Sequence, residues 1–175
     1  GIGQYTITVE NALNEKSIKY LTIEKNFLFK IKNKYIRRIL YNVYLNTYFL
    51  VKLLFIKGKK SVIFTNFSVP VFKIPNTEYI SVIHDIRCVE NTESYSKFIN
   101  WYEKSNLLNA IKNAKKIITI SETMKNNIIS HFPQVSNKIF VVYNSLGKHF
   151  ENYCDVNIET YNIKAKKYIL SVATL

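Results

Sequence analysis

Two short runs of β-branched and aliphatic residues that stop abruptly at polar side chains constrain this chain more than any other feature. The first is Tyr79-Ile80-Ser81-Val82-Ile83-His84-Asp85, and the second, further along, is Ala114-Lys115-Lys116-Ile117-Ile118-Thr119-Ile120-Ser121-Glu122. Near-continuous apolar runs of this length read as buried strands of a parallel sheet, because such strands are covered on both faces. Their polar ends then lie at the carboxyl edge of the sheet, where open α/β folds bind ligands.

The segments between these runs supply the rest of an α/β architecture. Gly1-Ile2-Gly3 opens a first helix, Tyr5 to Lys16, with Ile7, Val9, Ala12 and Leu13 turned inward. A short strand is expected at Lys19 to Ile23. After a basic turn at Lys30 to Lys34, one long helix is expected from Tyr35 to Ile56, stopped by Lys57-Gly58-Lys59-Lys60 as C-terminal glycines and cations stop helices. Ser61 to Thr65 is the next strand, and Val69 to Thr77, with two prolines, a connection. Strand Tyr79 to Ile83 is followed by a loop, Ile86 to Ser96, and a helix, Lys97 to Asn113. Strand Lys116 to Ile120 leads to Ser121, placed to cap a helix from Glu122 to Phe132. Met124, Ile128, Ile129 and Phe132 mark that helix's buried face, and Pro133 ends it. The last strand of the domain is Ile139 to Tyr143. Strands alternating with helices imply a Rossmann-like, doubly wound parallel sheet.

At 175 residues, 47% hydrophobic and with four Gly and three Pro, the chain can bury one substantial core and is not disordered. Residues 1–147 make that domain, 148–167 read as a polar linker, and 168–175 as the first strand of a second domain. The formal net charge of +13 raises a polyanion or anionic membrane as partner. Only three of the 25 cationic residues are arginines, and the chain is rich in Asn and Ile, a combination that adenine- and thymine-rich coding produces by itself. The lysines are scattered and no nucleic-acid-binding module is present, so no nucleic acid is expected as partner. Cys88 and Cys154 have neither metal-ligand spacing nor a disulfide framework, which fits a reduced, cytoplasmic setting. The start carries no secretory pattern and no initiating Met, so the natural protein is expected to begin upstream.

Three sets of residues have the chemistry and the position for a site. His84 and Asp85 end a strand; alternatively, His84 packs at the sheet edge and Asp85 caps the next turn. Gly1 and Gly3 precede a helix whose positive end favours a phosphate, although Thr6 stands where a dinucleotide fingerprint needs its third glycine. Ser121 and Glu122 lie at a helix start facing the same edge, and as structural features alone they are a cap and a dipole-matched acid.

In their order, Gly1-Ile2-Gly3-Gln4-Tyr5, the His84-Asp85 strand, the Ser121-Glu122 step and Lys138-Ile139-Phe140-Val141-Val142-Tyr143-Asn144-Ser145 resemble the acceptor-side domain of glycosyltransferase family 4. That family has two facing Rossmann-like domains, the GT-B arrangement. The resemblance covers nearly the whole chain. It implies retaining transfer of a sugar from a nucleotide-sugar co-substrate to a glycan or lipid-linked acceptor in surface polysaccharide assembly, with no catalytic metal and no other cofactor. It places His84 and Asp85 at the reacting centre, Gly1, Gly3, Gln4 and Tyr5 in the cleft loop, and Ser121 and Glu122 on the acceptor side. The donor-gripping groups would belong to a second domain, so this chain alone is expected to be inactive. Rival readings are a noncatalytic Rossmann-like binding module and a nucleotide-sugar epimerase of the same fold.

The helix expected at Tyr35 to Ile56 adds a location. At 100° per residue, Arg37, Arg38, Asn42, Asn46 and Lys52 share one half of the wheel with Tyr41, Leu45, Tyr48, Phe49 and Ile56. An aromatic, cationic half of this kind suits an interfacial helix on an anionic membrane surface. Asn42, Asn46 and Lys52 interrupt it too often for a membrane span. Residence is therefore expected in the cytoplasm, peripheral on the inner face of the cytoplasmic membrane.

Overall fold

A computed structural model describes residues 2–22, 30–90 and 96–144. Gly1 and Ile23, and the expected linker and terminal strand at 148–167 and 168–175, lie outside the described residues. The elements are α1 (Ile2–Glu15), α2 (Lys34–Asn46), α3 (Tyr48–Phe55), β1 (Lys60–Phe64), β2 (Thr77–Ile83), α4 (Arg87–Glu90), α5 (Lys97–Asn113), β3 (Lys116–Thr119), α6 (Glu122–His131) and β4 (Ile139–Val141). The four strands are all parallel and stand in the order β1-β2-β3-β4, flanked by helices. The fold is α/β and Rossmann-like, as the alternation of segments predicts.

Register decides which side chains meet the helices. Val62 pairs with Tyr79, Phe64 with Ser81, Ser81 with Ile117 and Ile117 with Ile139. Successive strand residues alternate faces, so Phe64, Tyr79, Ile83, Ile117 and Ile139 share one face. All five lie in the buried core. Near β1 they pack with Leu45, Phe49, Leu50 and Leu53 of α2 and α3, and near β3 with Leu107 and Ile111 of α5 and Ile128 of α6. Fully burying a side chain of this size contributes roughly 1.5–3 kcal/mol. Truncating Ile117 to alanine at the centre of the sheet would cost about 2–5 kcal/mol.

Several expectations are met closely. Helix α5 spans Lys97–Asn113, and the Ser121 hydroxyl caps α6 by accepting from the Met124 amide at 3.1 Å. Ile128 is fully buried, with Met124, Ile129 and Phe132 packed against the same core. Gly58 adopts φ +84 just after α3, the left-handed conformation a glycine supplies at a helix end.

Four others are corrected. The single long helix is two helices, broken at Thr47, where φ is −125 and ψ −90. The Thr47 hydroxyl bonds back to the Val43 carbonyl at 2.6 Å, and the Asn46 side chain accepts from the Val71 amide at 2.7 Å. The first is a local back-bond of the kind that bends helices, and the second ties the break to the 65–76 connection. Lys19 to Thr22 is not a strand; Thr22 donates to the Glu10 carboxylate at 2.7 Å, which holds the segment along α1 instead of in the sheet. On α1 itself, Ile7 and Ala12 are exposed, while Val9 and Leu13 are partly buried. The expected 86–96 loop contains the short helix α4, with Cys88 buried in the core.

Candidate functional site

The carboxyl ends of β1 and β2 lie side by side, and they bring His84 against Thr65. The imidazole Nε2 of His84 is 3.0 Å from the Thr65 carbonyl oxygen, and the ring is partly buried. A carbonyl only accepts, so Nε2 carries the proton, and in the neutral ring Nδ1 is the accepting nitrogen. The Tyr5 ring stands edge-on to the imidazole, centroids 5.1 Å apart at 89°. Burial pushes the Tyr5 hydroxyl above its ordinary pKa, keeping it neutral. One residue on, Thr6 donates from its hydroxyl to that of Thr65 at 3.0 Å. Helix α1 is thereby pinned at its start to the ends of both strands.

Asp85 turns to its own loop. Its carboxylate accepts from the Arg87 amide at 3.3 Å and pairs with the Arg87 guanidinium at 3.0 Å. The turn-capping reading of Asp85 is thus met, and the carboxylate also carries a cation to the sheet edge. The pair is exposed enough for solvent to screen it, so an incoming phosphate or carboxylate can compete for the guanidinium.

The glycine segment differs from a loop. Helix α1 begins at Ile2, so Gly3, Gln4 and Tyr5 are its first-turn residues, and Gly1 lies outside the described residues. A Cβ built on Gly3 would meet nothing within 4 Å, and Gly3 has no positive φ. Sterics therefore do not demand glycine at position 3. What this segment offers is the helix start itself, whose first amides have no intrahelical acceptor and whose dipole favours an anion.

Ser121 and Glu122 reach the same edge from β3. Ile83 pairs with Thr119, so Asp85 and Ser121 each follow by two residues the last paired positions of neighbouring strands. Adjacent strands are about 4.8 Å apart. The Thr119 hydroxyl donates to the Ile83 carbonyl at 3.1 Å and locks that register. Ser121 spends its oxygen on the cap, and Glu122 is exposed beside Lys125 at 3.4 Å. The sheet thus brings Tyr5 against His84, with Asp85 the next residue in the chain, and sets Ser121 and Glu122 at its next strand end.

Sequence reading missed Thr65, Thr6 and Arg87. Thr65 immediately follows β1, and the strand-end rule that singles out His84 would also have found it. Its working group is a backbone carbonyl, which leaves no mark in the sequence. Among the described residues no cluster of His, Cys, Asp or Glu could hold a metal ion. A shallow hollow of about 640 Å³ lies at the far end of α1, lined by Asn14, Ser17, Ile18, Lys19 and Tyr20. Among the described residues no hydrogen bond or ion pair orients its Ser17, Lys19 or Tyr20 side chains toward one another, and the strand ends are the better site. No protein-family model matches the chain, and no curated protein and no solved structure matches it either.

Proposed function

We propose that this chain is the acceptor-side domain of a retaining glycosyltransferase that moves a sugar from a nucleotide-sugar donor to a glycan or lipid-linked acceptor. The observation that carries this reading is His84 at a parallel-sheet carboxyl edge, its Nε2 held by the Thr65 carbonyl. On this reading Nδ1 accepts from a sugar hydroxyl beside the reacting carbon, and Tyr5 holds the ring's plane. Arg87 and the first amides of α1 stabilise negative charge, the term that contributes most when a diphosphate leaves. Ser121 and Glu122 border the acceptor. A second domain grips the donor, and no metal is required. Among the described residues no helix is long and apolar enough to cross a membrane. The proposal adds a peripheral position at the inner face of the cytoplasmic membrane, where a lipid-linked acceptor resides.

The test uses the full-length protein and a panel of nucleotide sugars with acceptor. His84→Ala should lower turnover about hundredfold or more, the loss of a transition-state contact of roughly 3 kcal/mol. Circular dichroism should be unchanged. Near-normal turnover in that variant returns His84 to a packing role and removes the reading. A donor isomerised with no acceptor present identifies an epimerase instead.

A further inference from the structure

We propose that the outward apolar face of α2 and α3 docks on an anionic lipid surface. On α2, Ile36, Ile39, Leu40 and Val43 are all exposed, and helical geometry gathers them into about 100° of the circumference. Leu45, which α2 gives to the core, lies opposite them. On α3, Val51 and Phe55 are exposed opposite the buried Leu53, with Phe55 82% accessible, and Leu54 is exposed on the flank between. A helix face turned away from its own core is ordinarily polar, so an apolar one marks a surface awaiting a partner. The half of the helix that carries Arg38, Tyr41, Leu45 and Phe49 is not that surface: Leu45 and Phe49 are core, and Arg38 pairs with Glu103 of α5 at 2.8 Å.

An aromatic ladder extends the patch onto α5. The Tyr35 ring meets Phe98 at 5.6 Å, and Phe98 meets Trp101, the chain's single tryptophan, at 6.0 Å. Trp101 is 64% exposed. Amphipathic aromatic rings at the border of an apolar face suit the headgroup level of a bilayer.

Charge selects the occupant. From Lys30 to Lys60 the sequence holds nine lysines and arginines and no acid. Lys30, Lys32 and Lys34 stand exposed before the patch, and Lys57 and Lys59 after it. The Lys34 ammonium also sits 5.3 Å from the Tyr35 ring centroid, within cation–π range. A second copy would set these cations against their own kind. A nucleic acid would satisfy the lysines and leave Val51, Leu54 and Phe55 in water. An anionic bilayer meets both demands, with acyl chains for the apolar stripe and headgroups for the lysine rim. The inference rests on the peripheral position proposed above, and its readout is binding rather than turnover.

The test is co-sedimentation of the whole chain with phosphatidylglycerol–phosphatidylcholine vesicles and with pure phosphatidylcholine vesicles across a salt series. Binding should favour the anionic vesicles at least tenfold and weaken with salt, and Trp101 emission should shift to the blue. The variant Val43→Ser/Val51→Ser/Leu54→Ser, altered only at exposed positions, should bind at least tenfold more weakly with unchanged circular dichroism. The variant Phe140→Ser, altered at an exposed position of the sheet, should bind as the parent does. Equal binding to both vesicle types, binding to neither, or undiminished binding by the triple variant overturns the proposal. So does a concentration-dependent dimer that the triple variant abolishes. Docking without sugar transfer would sink the transferase reading alone, and transfer to a soluble acceptor without docking would sink this inference alone.

Discussion

The Thr65 carbonyl oxygen lies 3.0 Å from Nε2 of His84 and decides which imidazole nitrogen can work. A free histidine interconverts between two neutral tautomers, whereas this one has a carbonyl acceptor held at Nε2. The Thr6–Thr65 hydroxyl bond fixes the segment that presents the carbonyl, and Tyr5 fixes the tilt of the ring. The imidazole is thus oriented before any ligand arrives, which lowers the cost of ordering it on binding.

The tautomer is directly measurable. With 15N-labelled histidine, His84 should show its neutral form protonated at Nε2, with Nδ1 unprotonated. A neutral form protonated at Nδ1 would contradict the arrangement. Thr6→Val removes the hydroxyl that steadies Thr65 while keeping the side chain's shape, and should make the two tautomers more equal.

Asn113 should prove to be the main clamp on the chain between β1 and β2. Its amide nitrogen donates to the Val71 carbonyl at 2.9 Å, to the Pro70 carbonyl at 3.3 Å and to the Asn109 side chain at 2.7 Å. Asn109 in turn donates to the Val69 carbonyl. Asn113→Asp keeps the shape and replaces the donor with an acceptor facing carbonyls. It should lower unfolding stability by about 2 kcal/mol, the size of buried groups left unsatisfied. Urea unfolding measures this, and a change below about 0.5 kcal/mol would show that solvent replaces the bonds.

These tertiary bonds explain which parts of the molecule were legible in its sequence. Strand β2 and its His84 terminus were readable because an apolar run ending in polar groups has few other solutions. Helix α5 was readable because Lys97 to Asn113 carries Ile99, Leu107 and Ile111 at helical spacing and is followed at once by a strand. The break at Thr47 was not, since Asn46-Thr47-Tyr48 contains neither Pro nor Gly, and the Val71 amide that holds Asn46 there lies 25 residues away. With the break hidden, the outward face was hidden too: one continuous wheel put Arg38, Leu45 and Phe49 on the surface. At the site, His84 and Asp85 were legible as side chains at a strand end. The acceptor that orients His84 was not, because every residue carries a carbonyl.

The Arg38–Glu103 pair should couple α2 to α5. The guanidinium meets the carboxylate at 2.8 Å and lies 5.7 Å from the Tyr102 ring centroid, and the Tyr102 hydroxyl donates to the Arg38 carbonyl at 3.1 Å. Both charged side chains are less than one third exposed, so the pair is screened less than a fully solvated one. A double-mutant cycle with Arg38→Met and Glu103→Gln should return a coupling of about 1 kcal/mol. Zero coupling would assign the contact to alkyl packing alone.

Cys88 should make stability fall in alkaline solution. Its thiol is pushed up from 9.0 to about 11, first by burial and then by the Glu103 and Asp85 carboxylates. The unfolded thiol loses its proton near pH 9, while the folded one keeps it until near pH 11. Between those values the folded state holds more protons, so stability declines as pH rises. Its contribution is fully present below about pH 9 and is lost by about pH 11, a change on the order of 2 kcal/mol. Tyr41, Tyr79 and Tyr102, also raised by burial, add to the decline. The informative quantity is therefore the gap between the parent and Cys88→Ala. Removing the sulfur costs packing at every pH and removes this titration alone. The gap should narrow steadily from pH 9 to pH 11 in urea unfolding, and a constant gap would mean that the buried thiol titrates as it does in water.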